Sequence, residues 1–214
     1  MKTKDKNLLK LSAICALLLL IRILFSGRIT YIFLIWNLFL AGIPYLISRL
    51  IEVKKEKTSI LKLLFFTFIW LIFFPNSPYI ITDFVHLGNI HHSLFWIDLM
   101  LLTIFSITGL MYGISSLLIL KEIYENKFNN LIGLTFTYSA IFLSGFGIYI
   151  GRILRWNSWD IVRHPFRVIS DLSEIFFHPI SNQKIWIISL SFSITVYVFY
   201  FLVNSFSNIT IKNN

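Results

Sequence analysis

Leu94-Phe95-Trp96-Ile97-Asp98-Leu99-Met100-Leu101-Leu102-Thr103-Ile104-Phe105-Ser106-Ile107-Thr108-Gly109-Leu110, continuing in the same character to Leu120, decides how this chain folds. A run that long with a single ionised side chain leaves no polar face for water. It reads as a helix crossing a bilayer, which needs about 20 apolar residues. The run is long enough to tilt or to protrude. Five more segments share its character, giving expected spans at 8–25, 29–47, 60–74, 94–120, 131–150 and 185–206. The third is short because Pro75 and Pro78 follow it, and each lacks an N–H and biases the preceding residue away from helix.

Composition agrees with this reading over the whole chain. Of 214 residues, 57% are hydrophobic, 17% aromatic and only 14% charged, against about 25% charged in soluble domains. Mean hydropathy is +0.76. A water-soluble body cannot be coated with so little polar surface, and a disordered chain would not carry so many apolar side chains. No stretch between the spans is long enough to fold separately in water, so residues 1–214 are expected to form a single integral membrane domain. The expected fold is all-α, a polytopic helical bundle of about six transmembrane helices. Cys15, the only cysteine, excludes an internal disulfide and a thiolate metal cluster and reads as inert packing.

The net charge of +9 does not point to nucleic acid, because the basic residues flank apolar spans and form no basic domain. They set orientation instead. With both termini in the cytoplasm, eleven of the twelve lysines fall on the inner side, as the positive-inside rule prefers. The first span then reads as a retained anchor in the cell membrane rather than a cleaved signal. Six of the seven arginines and all five histidines fall outside or at outer helix ends. A topological signal needs no particular cation, whereas a phosphate or carboxylate favours the planar fork of guanidinium. The outer arginines therefore read as recognition groups.

Two outer constellations carry the polar chemistry. The first runs from Phe74-Pro75-Asn76-Ser77-Pro78-Tyr79 through Thr82-Asp83, His86 and His91 to Asp98. Asn76 and Ser77 are suited to bonding the backbone groups that the prolines free, and Asn76 also serves as a candidate substrate contact. If a short helix resumes after Pro78, Asp83 and His86 share a face, a spacing at which a carboxylate orients an imidazole. Three readings stay open: solvated loop polarity, a general acid/base pair, or a divalent metal held by residues such as Asp83, His86 and His91. Asp98 sits inside an apolar helix, where a lone carboxylate is expensive, so it is expected to have an arginine or metal partner.

The second constellation is Gly151-Arg152-Ile153-Leu154-Arg155-Trp156-Asn157-Ser158-Trp159-Asp160. On a continued helix Arg152 and Arg155 share a face and, with Asn157 beside them, form an anion cradle; Asp160 is a further candidate catalytic carboxylate. Gly109 with Gly113 and Gly147 with Gly151 are close-approach steps, which suggests that the fourth and fifth spans touch and draw the two constellations together. Arg152 or Arg155 is then the expected partner of Asp98. Residues 165–177 read as a short amphipathic helix in the outer interface between the fifth and sixth spans, with Phe166, Ile169, Leu172 and Phe176 on one stripe. Asn37 reads as a helix–helix hydrogen-bond donor.

Three patterns, Asn37-Leu38-Phe39-Leu40-Ala41-Gly42-Ile43-Pro44, the stretch from Phe74 to Leu87, and Gly151-Arg152 with Arg155 to Asp160, resemble a bacterial family of small integral membrane proteins known only as domain-of-unknown-function family 1361. The resemblance implies a multi-helix membrane protein and supplies no activity. From the residues, the leading expectation is an enzyme with an outward-facing site acting on an anionic or lipid-linked phosphate substrate. In it Asp83, His86, Asp98 and Asp160 are catalytic, and Arg152, Arg155, Asn157 and Asn76 bind substrate. The alternatives are a transporter or flippase for an anionic substrate, and a non-enzymatic accessory or scaffold protein. Membrane lipid is the expected partner; the sequence leaves the cofactor, for which a divalent metal is one candidate, and the oligomeric state undetermined.

Overall fold

The computed structural model describes residues 3–54, 58–89, 94–156 and 163–212. They form helices throughout: α1 (Thr3–Ser26), α2 (Phe33–Val53), α3 (Ile60–Phe73), α4 (Asn76–Tyr79), a 3-10 helix (Ile80–Asn89), α5 (Phe95–Lys127), α6 (Asn130–Arg152), α7 (Pro165–Phe177) and α8 (Gln183–Lys212). Among the described residues, six helical segments are long and apolar enough to cross a membrane. The chain is an all-helical, multi-pass membrane protein. It divides into two compact units, Met1–Leu120 and Lys121–Asn214, with the boundary inside α5.

In the first unit, α1 ends where Gly27 adopts φ +65° and donates its N–H to the Ile23 carbonyl at 2.8 Å, a left-handed cap that glycine takes without a Cβ penalty. A short turn leads into α2, whose buried Leu34, Leu38, Ala41, Tyr45 and Ser48 recur at three and four residues and mark the face turned to protein. The opposite side, with Phe39, Leu46 and Leu50, is exposed as a lipid-facing surface should be. α2 continues past residue 47 to Val53, because Arg49 is paired with both Asp5 and Glu52 and does not interrupt the helix.

Pro44 lies inside α2, where its ring and missing N–H disturb the preceding turn. The fully buried Ser77 donates its hydroxyl to the Ala41 carbonyl at 3.0 Å. A neighbouring hydroxyl that satisfies a backbone carbonyl is how a proline is tolerated in a span. The sequence had Ser77 serving its own segment; it serves α2 instead. Asn76 behaves as expected, its amide donating to the Phe73 carbonyl at 2.9 Å at the end of α3.

The prolines also do not terminate the third span. Ser77 N–H bonds to Phe74 O at 3.1 Å and Tyr79 N–H to Pro75 O at 3.0 Å, so the path stays helical and tightens into the 3-10 segment, making one apolar stretch from Ile60 to Gly88. Pro75 and Pro78 fall at the start of a new turn, where an N–H would be unpaired in any case.

Gly109 and Gly113 of α5 pack against this segment. A Cβ on Gly113 would lie 2.6 Å from Ser77 Cβ, and one on Gly109 would lie 2.9 Å from the Ser77 carbonyl oxygen. The close approach expected of these glycines is present, and the partner it shows is the segment after Pro75. One turn further on, Trp70 Nε1 donates to Ser116 Oγ at 3.1 Å, completing the seam between α3 and α5. α1 meets α5 through Ser12 with Tyr112 at 2.9 Å, Cys15 with Thr108 at 3.3 Å, and Arg22 with Asp98.

In the second unit, Asn129 caps α6 by accepting from Ile132 N–H at 2.9 Å. α6 approaches α8 closely at Gly145, where a Cβ would fall 2.1 Å from the Ser189 carbonyl oxygen. Ser193 Oγ donates across the same contact to the Phe142 carbonyl at 3.1 Å. The amphipathic helix read at 165–177 is α7.

Candidate functional site

The polar groups of the first unit gather where α1 ends, α2 begins and α5 starts. Asp98, fully buried in the first turn of α5, receives Arg22 side-on: Nε donates to Oδ1 at 2.9 Å and Nη2 to Oδ2 at 3.2 Å. Arg22 Nη1 donates to Ser26 Oγ at 3.2 Å and to the Arg28 carbonyl at 3.1 Å. The guanidinium also lies over the Tyr31 ring, 4.9 Å from its centroid. The arginine that the cost argument demands for Asp98 is therefore Arg22, from the end of the first span. Removing one partner of such a buried pair costs about 3–5 kcal/mol, because the other charge is left uncompensated.

Tyr31 sits in the turn between the first two spans and is buried. Burial, reinforced by the negative charge of Asp98 and opposed by Arg22, pushes its phenol up to about 12. The hydroxyl has no hydrogen-bond partner among the described residues. Tyr31 is thus a neutral ring at physiological pH, whose face serves Arg22.

Rings connect this pair to the first sequence constellation. Tyr31 contacts Phe33 at 6.0 Å between centroids, and Phe33 contacts the His86 ring at 5.0 Å. His86 and Asp83 are three apart on the 3-10 helix, where residues at that spacing lie nearly in line. Asp83 is 1% exposed, and its Oδ2 accepts the Asn37 amide of α2 at 2.7 Å. Asn37 is the helix–helix donor that its position suggested. Asp83, His86 and Asp98 thus lie in one contiguous cluster of the first unit, joined through Arg22, Tyr31 and Phe33.

Among the described residues no three His, Cys, Asp or Glu side chains come together as a ligand set. His91 lies outside the described residues.

The second unit carries the arginines. α6 ends at Arg152, and Arg155 has φ +58°, the left-handed region, so the two do not sit on one continued helix as the spacing suggested. The chain folds back there, with Trp156 N–H bonding to the Ile150 carbonyl at 3.1 Å. The turn leaves Arg155 exposed and sends the Trp156 indole to Asp171 of α7 at 3.0 Å. Asn157 and Asp160 lie outside the described residues.

Arg22, Tyr31 and Phe33 are the members of this arrangement that the sequence reading missed as site residues. Arg22 had a usable signal: an arginine near the end of the first span and an aspartate near the start of the fourth lie at the same end of their antiparallel helices, and so at a similar membrane depth.

The family described as "Protein of unknown function (DUF1361)" matches residues 36–199. No curated protein matches the chain, and no solved structure does.

Proposed function

As the chain belongs to that family, whose description assigns no activity, we propose from its own residues that it is a cell-membrane enzyme acting on an anionic, lipid-linked phosphate substrate. Asp83 and His86 supply the acid/base chemistry, on the outer side of a protein whose termini are cytoplasmic. The observation that carries this reading is the placement of Asp83: it is 1% exposed, the Asn37 amide of α2 donates to its Oδ2 at 2.7 Å, and it stands three residues from His86 on one 3-10 helix. A carboxylate held inside the apolar layer beside an imidazole is the pattern of a functional site. Asp98, with both oxygens on the Arg22 guanidinium, is read as a structural anchor. His86, partly exposed on the same segment, is an imidazole able to give or take a proton.

Arg152 and Arg155, at the end of α6, are a separate part of the proposal, as donors to a phosphate headgroup.

The test is complementation of a deletion strain with Asp83→Asn, His86→Gln, Arg152→Lys and Arg155→Lys, each at measured membrane abundance. The reading expects lost function at normal abundance, because each change preserves size or charge while removing a proton-transfer group or a planar fork. Full function in all four would end it.

A further inference from the structure

α7 has one side bound to its own unit and one side that, among the described residues, is left exposed. The bound side is the one that carries Asp171, which accepts the Trp156 indole N–H at 3.0 Å; Phe176, at the edge of the apolar stripe beside Ile169 and 46% exposed, meets Phe146 at 5.5 Å and Trp186 at 5.4 Å. Ile175, on that side, is buried. At 3.6 residues per turn, Phe166, Ile169 and Phe177 fall on the other side, and they are 87%, 60% and 80% exposed. Ile180, just beyond the helix, is 81% exposed. A strip of that kind at the end of a water-facing loop would be a liability; its position supplies an occupant. α6 and α8 are both long apolar spans, so α7, joining the end of one to the start of the other and clipped to both, is held at the level where hydrocarbon meets water.

Charge specifies the lipid. Arg163, Arg167 and Lys184 are exposed around α7, against Glu174 as its exposed acid. We infer that α7 lies in the plane of the membrane surface on the leaflet where α6 ends and α8 begins, with Phe166, Ile169 and Phe177 among the acyl chains and Arg163 and Arg167 on anionic lipid headgroups. An apolar face backed by basic residues is the pattern by which a helix lies in an interface, and its attraction combines buried apolar area with charge. The inference does not depend on the acid/base reading of Asp83 and His86.

The experiment uses the full chain in a Cys15→Ser background with one cysteine introduced as Phe166→Cys, Ile169→Cys, Phe177→Cys or Glu174→Cys. Each variant is labelled with an environment-sensitive fluorophore and reconstituted in phosphatidylcholine vesicles with or without phosphatidylglycerol. Spin-labelled lipid should quench positions 166, 169 and 177 several-fold more than position 174, and iodide should show the reverse order. Arg163→Gln with Arg167→Gln should abolish the added lipid quenching that phosphatidylglycerol brings and leave quenching in pure phosphatidylcholine unchanged. If one of the three apolar positions fails to reconstitute, the other two report the same face. Equal iodide quenching at all four positions would overturn the inference. So would crosslinking of position 169 between two copies together with insensitivity to lipid quencher, which would make the strip a protein interface.

Discussion

Arg22 and Asp98 lock the end of α1 to the start of α5 by a two-point contact, Nε to Oδ1 at 2.9 Å and Nη2 to Oδ2 at 3.2 Å, with side chains only 4% and 0% exposed. The pair joins the first span to the fourth at the edge of the apolar region, and it keeps the Tyr31 ring beneath it.

A pair so placed should be costly to break and cheap to replace. Arg22→Gln or Asp98→Asn is expected to lower stability by about 3–5 kcal/mol, since each leaves one buried charge alone. The double change Arg22→Met with Asp98→Leu should cost far less than the sum of the two singles. Detergent-solubilised unfolding of the three variants measures this directly; additive losses would mean the two residues act separately.

Close approach at Gly113 gives a second test. Gly113→Ala would place a Cβ 2.6 Å from Ser77 Cβ and should cost about 1–3 kcal/mol through overpacking. Ala at Gly42, where a Cβ meets nothing within 4 Å, should leave stability unchanged or slightly improved. Thermal unfolding of the two alanine variants side by side gives the comparison, and equal melting temperatures would contradict the seam between α5 and the segment after Pro75.

Much of this architecture was legible in the sequence for one physical reason: a bilayer demands long apolar runs, and six of them can be counted. Boundaries were legible only where polar residues mark a true end. Arg49 looked like the end of the second span, yet its charge is met by Asp5 and Glu52 and the helix runs on. Pro75 and Pro78 looked like a stop, yet the freed positions fall at the start of a new turn. The partners of buried groups were the least legible. The cost of burying Asp98 predicts an arginine, but which arginine is decided by helix adjacency, which spacing within one helix does not encode. The pairing of Asn37 with Asp83 across two helices is of the same kind.

Alkaline pH should expose the Tyr31 environment. Its phenol is raised from the usual 10 to about 12, so the folded state resists its ionisation more than the unfolded chain does. The stability tied to the neutral ring is complete below pH 10 and is lost as pH rises towards about 12. Tyr31→Phe, which cannot ionise, should lose less stability than the parent across that window when unfolding midpoints are compared. Parallel curves would show that burial next to Asp98 does not govern the group.

Orientation is open to chemical labelling. In a Cys15→Ser background, His91→Cys should react with a membrane-impermeant maleimide in intact cells, and Lys55→Cys only after lysis. The reverse pattern would turn the Asp83 and His86 end towards the cytoplasm and remove the outward-facing site.

The central claim is that Asp83 acts on a lipid-linked phosphate while Asp98 only supports the fold. Lipid-resolved mass spectrometry of a deletion strain carrying the parent, Asp83→Asn or Asp98→Asn, each at measured membrane abundance, tests it most directly. The account predicts that Asp83→Asn accumulates the same phosphate-bearing lipid as the deletion while staying at parental abundance, and that Asp98→Asn loses abundance and function together. A lipid profile for Asp83→Asn identical to that of the parent would contradict it.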